Sequence, residues 1–442
     1  MKNMDTQAVQ SLSHERPAAN YRTILGGAIG HFIEWYEFAL YGFLGGVLAA
    51  HIFPATDPAA SLIASFSAFA IGFLGRPIGA FVLSPLCDKI GRKKLLSLTI
   101  LLAGLGSLAI ALCPDYATIG IMAPIIVSLA RLLQGFSAGG EFQIAITFLN
   151  EHAKPRYRAF SASPQTVCIG LGILTACAVA GLVTHFLPPH ALNTWGWRLP
   201  FLLGAVMSLY GFAARRGLGE TPAFEEISRG RRTSAMTILR SLASFKREVL
   251  LVFIIEMNVV QYILFLVFLP SYAHLTTGLP VSVGFSGSVI ATVIYCAVSP
   301  PLSLLSDYIG RKPLFIAGAV LFLLFTYPLL HALTSSPGFS TFLLVAITGS
   351  IFVATTGAPF STTLAELFPT AIRATGIGVP YAVSIALFGG TTPIVMVWLQ
   401  NKGGVMWVSA YVMAISLLSL IVYLTLLPET RGRSLTSDSD FT

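Results

Sequence analysis

Arg131 stands in a long apolar run, and Gln134, Ala138 and Glu141 follow it at spacings that put all four on one stripe of a helix. A guanidinium fork can hold a carboxylate through two parallel hydrogen bonds. A charge at the centre of a bilayer costs at least about 3 kcal/mol on insertion scales, so Arg131 needs an acidic partner, a bound anion, or each in turn. About a dozen residues into its run, it sits some 18 Å deep at 1.5 Å per residue. The first apolar run carries the candidate acids. His31, Glu34, Phe38 and Tyr41 share a face, with Glu37 at its edge. A buried carboxyl beside a movable cation can take up and release a proton as its surroundings change; static hydrogen bonding at a helix interface is the alternative. His31 either packs or relays a proton. Further along, Asn258, Gln261 and Phe265 share one face, suited to a cavity wall or to interhelical hydrogen bonds, while Glu256 points elsewhere. Arg76 reads as a cation snorkelling toward a membrane surface.

A second set of charges repeats. Asp88-Lys89-Ile90-Gly91-Arg92-Lys93 returns as Asp307-Tyr308-Ile309-Gly310-Arg311-Lys312, 219 residues later in a chain of 442. Glu151 and Arg158 have counterparts in Glu366 and Arg373, and Glu220-Thr221 in Glu429-Thr430. Orientation in a membrane demands basic residues but neither the acids nor the spacing. Three paired elements at near-constant offset therefore point to two homologous halves joined by a charged latch. In the repeated turn, Asp suits a helix N-terminus and Gly a tight approach, while Arg and Lys reach water or a neighbouring acid.

The elements that must carry these residues are membrane helices. Charged residues make up 10% of the chain and apolar ones 55%, with mean hydropathy +0.78, against roughly 25% charge in a soluble domain. Twelve apolar runs, the first near 23–50 and the last near 405–427, are long enough to span. With the N-terminus inside, all but four of the 27 Lys and Arg residues fall on the cytoplasmic side; Arg198 and Lys402 lie outside, and Arg76 and Arg131 within helices. The net charge of +8 is thus a topology signal and calls for no nucleic-acid partner. The expected organisation is an N-terminal tail at 1–22, a six-helix bundle at 23–216, a cytoplasmic linker at 217–248, a second bundle at 249–428 and a C-terminal tail at 429–442. Both termini are expected in the cytoplasm. Five cysteines without C-x-x-C spacing indicate neither disulfide framework nor metal site, and the polar first twenty residues do not read as a removable signal. No Gly-Lys dipeptide occurs, so the phosphate-binding loop that would use ATP is absent, and no H-E-x-x-H helix is present. An enzyme has little support, and no cofactor is implied.

On these motifs the chain resembles the major facilitator superfamily, and within it the metabolite:proton symporters that include carriers of citrate, 2-oxoglutarate, shikimate, and proline or betaine. The resemblance rests on the two D-x-I-G-R-K turns, Gly30 to Phe38, Arg76-Pro77-Ile78-Gly79, Arg131 to Glu141, Gly196 to Phe201 and Glu220 to Phe224. His31 and Glu37 stand where relatives commonly have Asn and Asp, and Phe142-Gln143 follows Gly-Gly-Glu. The resemblance implies an all-α protein of twelve transmembrane helices in two pseudo-symmetric bundles, importing a small organic acid such as a di- or tricarboxylate with protons by alternating access. Osmolyte uptake, and drug or siderophore export, are the alternatives on the same fold; a sensor without flux is a further one. Arg131, Gln134, Tyr41, Asn258 and Gln261 are expected to bind substrate. Glu34, Glu37, Glu141 and His31 are expected to couple the proton. Asp88, Gly91, Arg92, Glu151 and Arg158, with Asp307, Gly310, Arg311, Glu366 and Arg373, are expected to gate the cytoplasmic side. A bacterial inner membrane and a functional monomer complete the expectation.

Overall fold

The computed structural model of the chain describes residues 21–55, 58–221, 224 and 235–435. Residues 1–20 of the expected tail at 1–22, residues 436–442 of the expected tail at 429–442, and the middle of the expected linker lie outside the described residues. Every regular element among the described residues is helical. The first half comprises α1 (Tyr21–Phe43, resumed as Gly45–Ile52), α2 (Pro58–Ile90), α3 (Arg92–Leu112), α4 (Met122–His152), α5 (Arg158–Phe186) and α6 (Leu199–Arg216). The second half runs through α7 (Lys246–Thr277), α8 (Val281–Ile309), α9 (Lys312–Ser335) and α10 (Phe339–Glu366).

The last helical stretch, Arg373–Thr425, is 53 residues long, about 80 Å at 1.5 Å per residue and far more than one bilayer core of about 30 Å. It breaks at Gly403 and at Gly404, whose φ of 65° and ψ of −157° are non-helical. Arg373 bonds to Glu151 at the end bearing the repeated charged turns, here called the basic end. Gln400 accepts from the Tyr272 hydroxyl, late in α7, and Leu426 O accepts from Arg247 near the start of α7. The chain therefore goes out as α11 (373–402) and returns as α12 (404–425). Among the described residues ten segments are long and apolar enough to cross a membrane; with that reversal and α1, the passes among them number twelve. Side chains such as Leu74, Leu209, Phe325 and Leu424 leave an apolar exterior, the surface a lipid solvent favours.

Within each half, α2 packs on α4, α1 on α5 and α3 on both α4 and α6; α8 packs on α10 and α9 on α10 and α12. The halves meet where α5 lies on α8 and α11 on α2, the same kind of contact made twice under a pseudo-two-fold relation. The α2–α4 crossing is lined by glycine because backbone meets backbone: a Cβ on Gly79 would sit 1.9 Å from Phe136 O, and one on Gly135 would sit 1.8 Å from Gly72 O. Two helices of the second half are irregular. α7 stops at Glu256, resumes at Val259 and passes through a π turn at Ile263–Phe268, while α11 holds a π turn at Ile385–Gly389. Such turns concentrate at functional sites.

Candidate functional site

At the basic end, each half reaches into the other. Glu151 ends α4, yet its carboxylate bonds Arg373 at 2.6 Å across the interface; Glu366 ends α10 and takes Arg158 of the first half at 2.6 Å. Glu151 also meets Arg92 at 3.3 Å, and Glu366 meets Arg311 at 3.3 Å. Asp88 accepts from the backbone N–H groups of Ala374 and Thr375 at the start of α11, at 3.2 and 2.8 Å. Asp307 mirrors this on Ala159 and Phe160 at the start of α5, at 3.0 and 2.9 Å. Each aspartate thus serves the N-terminus of a helix in the opposite half, where its charge complements the helix dipole. The arginine of each turn is buried in the latch instead of remaining in water.

Gly91 and Gly310 have φ of 108° and 107°, a region that costs an L side chain energy. They admit Glu220, which accepts from the N–H groups of Arg92 and Lys93, and Glu429, which accepts from those of Arg311 and Lys312. The third repeated element is therefore a cap on the first. Past α12 the chain continues under the latch: Arg158 and Arg373 donate to the carbonyls of Arg433 and Leu435, at 3.1 and 2.8 Å.

Between the halves lies a cavity of about 110 Å³. Its wall is aromatic. Trp35 on α1 lies 5.5 Å from Tyr262 on α7, which lies 6.2 Å from Tyr295 on α8; Phe142 on α4 stacks on Tyr381 of α11 at 4.0 Å and 8°. Phe360 stands 6.0 Å from Phe142. Gln165, Thr166, Asn258, Thr356 and Ser361 supply polar groups, and Glu256 is the one charged side chain among the described lining residues. Glu256 makes neither a hydrogen bond nor an ion pair with a described residue and is 5% exposed. Sequence spacing turned it away from the site because a regular helix was assumed; the interruption of α7 after Glu256 resets the register.

Of the residues expected to bind substrate, Asn258 lines this cavity and also donates to Tyr423 at 2.5 Å. Gln261, one turn on, is buried against Ser416 at 3.0 Å. Arg131, Gln134 and Tyr41 stand behind the wall, inside the first half. Arg131 sits 4.5 to 5.2 Å from the ring centres of Tyr41, Phe38 and Phe69 and donates to Gln134 at 2.8 Å. Gln134 donates in turn to Glu37 at 3.1 Å, so the helix 1 acid and the cation are linked through an amide and not paired directly. Tyr41 donates to Ser65 O.

The acids of the first half have distinct partners. Glu34 pairs with Arg76 of α2 at 2.8 Å, both nearly inaccessible, so Arg76 does not snorkel. Glu141 pairs with Arg215 of α6 at 2.5 Å and accepts from Thr99. Glu37 is held by Ser107 at 2.6 Å and by Gln134, both neutral donors. His31 accepts from the Gln165 amide at 3.0 Å and lies edge-on to Phe142. Gly135-Phe136-Ser137-Ala138-Gly139 spells G-x-S-x-G, but it lies inside α4 and Ser137 donates to Thr99 O; a nucleophile elbow needs a strand–turn–helix context. The aromatic wall escaped the sequence reading because rings at helical spacing look the same whether they face lipid or a cavity. Trp35 carried the available signal, lying within the Gly30–Phe38 motif.

A family model described as Sugar (and other) transporter matches residues 23–248 and again residues 244–439. The chain is 34% identical over 428 residues to the glycine betaine/proline/ectoine/pipecolic acid transporter OusA of Dickeya dadantii (strain 3937), covering 94% of this chain and 84% of that one. It is 33% identical over 388 residues to the citrate-proton symporter of Salmonella typhi, covering 88% and 89%. In fold it is similar to the proton:xylose symporter XylE bound to 6-bromo-6-deoxy-D-glucose, with TM-score 0.80, 20% identity, and coverage of 95% and 98%.

Proposed function

Since the chain belongs to the sugar (and other) transporter family, within the major facilitator superfamily, and is a membrane transporter rather than an enzyme, we propose that it is a proton-coupled symporter of a small zwitterionic metabolite of the betaine or proline kind. The observation that carries this reading is the aromatic cavity whose one charged lining group is an acid. A quaternary or secondary ammonium is attracted to the faces of Trp and Tyr rings, and more so when water is excluded. Trp35, Tyr262 and Tyr295 supply such faces, Glu256 balances the positive end, and the Tyr262 hydroxyl, buried without a hydrogen bond to a described residue, is free to donate to the carboxylate. A citrate-like trianion would need cations at the wall, whereas Arg131 and Arg76 are engaged behind it.

Within the first half, Glu37 is the acid whose proton comes and goes without breaking an ion pair, and the Arg131–Gln134 link ties it to the core of that half. The basic end is the cytoplasmic one, in a bacterial inner membrane, and the monomer is the working unit. The latch seals that end in this conformer, and rocking of the halves opens it. Organic-acid import is the second reading, favoured by the similarity to a citrate-proton symporter.

Purified protein in proteoliposomes under an imposed inward proton gradient discriminates the two. Glycine betaine or proline is expected to accumulate, with loss of accumulation on adding a protonophore. Accumulation of citrate without betaine or proline would overturn the zwitterion reading, and outward pumping against the same gradient would overturn import.

A further inference from the structure

Gln165 joins the cavity to the buried interior of the first half. It lines the cavity from α5, and its amide nitrogen donates to His31 Nε2 on α1 at 3.0 Å. An amide nitrogen only donates, so His31 here is neutral, with Nε2 accepting and its proton on Nδ1. Gln165 Oε1 and His31 Nδ1 are buried and make no hydrogen bond to a described residue. The pair therefore has a second bonding arrangement. A proton arriving from the cavity on His31 Nε2 turns that atom into a donor; the Gln165 amide must then rotate by half a turn to present its oxygen. Its NH₂ group takes the place its oxygen held.

We infer that the His31–Gln165 pair converts protonation into carboxylate affinity: with His31 protonated, Gln165 offers the cavity a donor instead of an acceptor. His31 is then a positioning residue acting through Gln165, and the inference rests on the symporter reading of the cavity. Full burial of His31 opposes an added charge, and the charged groups around it are largely paired. Glu34 and Glu37 lie on its own helix, Glu34 matched by Arg76 of α2; Glu141 of α4 is matched by Arg215 of α6. α5 contributes the uncharged Gln165, and Glu256 of α7 and Tyr381 of α11 face the same cavity across the interface. The guanidiniums of Arg76 and Arg215 are thus each matched by a carboxylate.

The sign follows. Substrate affinity rises as pH falls, with a limiting slope of about tenfold in KM per pH unit for one linked proton. The test is KM for glycine betaine in proteoliposomes, at fixed membrane potential, across pH 5.5 to 8, for wild type, His31→Gln and Gln165→Leu. His31→Gln keeps a side chain that can bond Gln165 but cannot titrate, and is expected to flatten the KM profile. Gln165→Leu is expected to raise KM and flatten its profile, with His31 still in place. A wild-type KM slope retained in His31→Gln overturns the inference, as does a wild-type KM that ignores pH. Absence of proton-driven uptake in wild type overturns the symporter reading itself. Circular dichroism and size-exclusion profiles matching wild type exclude misfolding as the cause.

Discussion

The two halves share their ends and differ in their interiors. At the basic end the duplication is nearly perfect: Asp88 and Asp307, Arg92 and Arg311, Glu151 and Glu366, Arg158 and Arg373, Glu220 and Glu429 hold matched contacts. Deeper in the membrane the first half buries Glu34–Arg76, Glu141–Arg215 and the Glu37–Gln134–Arg131 chain, whereas the second half places Glu256 alone among aromatic and hydroxyl groups. Its helices α7 and α11 also carry the π turns. The shared ends are what alternating access requires of both halves. The divergent interiors divide the labour, with charge held in the first half and a shaped, deformable wall in the second.

The latch offers the largest lever on that comparison. Arg373→Ala leaves Glu151 with Arg92 and the Thr221 hydroxyl, and leaves Leu435 O with the Thr370 hydroxyl; losing one partner of a buried pair typically costs roughly 3–5 kcal/mol. We expect the closed conformer to lose most of its population, read as at least about a hundredfold faster labelling of a cysteine at Thr356 by an impermeant reagent applied from the basic end. Arg158→Ala should match it, because the contact is made twice. Labelling rates that stay at wild type, or that differ between the two variants by more than about tenfold, would break the equivalence of the ends.

Next come the acids of the interiors. Glu141→Gln strands Arg215 in the core and should lower stability by roughly 3 kcal/mol, seen as a clear drop in melting temperature in detergent. Glu256→Gln strands nothing, and should leave the melt near wild type while raising the Kd for glycine betaine about tenfold or more, about 1.4 kcal/mol. The reverse pattern would exchange the roles of the halves.

The finest effect on the fold is expected from Glu37→Gln, which retains neutral hydrogen bonds to Ser107 and Gln134 and should cost less than about 1 kcal/mol of stability. Counterflow exchange should persist while proton-driven accumulation falls toward equality across the membrane. Undiminished accumulation would move the proton to another acid of the first half.

Legibility followed the same division. Twelve apolar runs and the repeated turns lay open in the sequence because length, hydropathy and duplication are one-dimensional signals. The seven-residue step from Glu151 to Arg158 was visible too, but not that each glutamate pairs with the other half's arginine; that exchange arises because each glutamate ends one helix and each arginine begins the next beside the interface. Arg131 drew attention as an isolated cation, yet its surroundings of Phe38, Tyr41 and Phe69 depend on rotations that 3.6-residue periodicity leaves open. Glu256 was misdirected for a local reason, the break in α7.

Asp88 and Asp307 grip main-chain amides, which every residue except proline provides. The contact itself therefore sets no side-chain requirement at 159, 160 and 374, although packing restricts the buried Ala159 and Ala374, and pairwise covariation across many genomes would register only one side of it. Proline at any of those three positions deletes the receiving N–H and is the substitution that drift is barred from making.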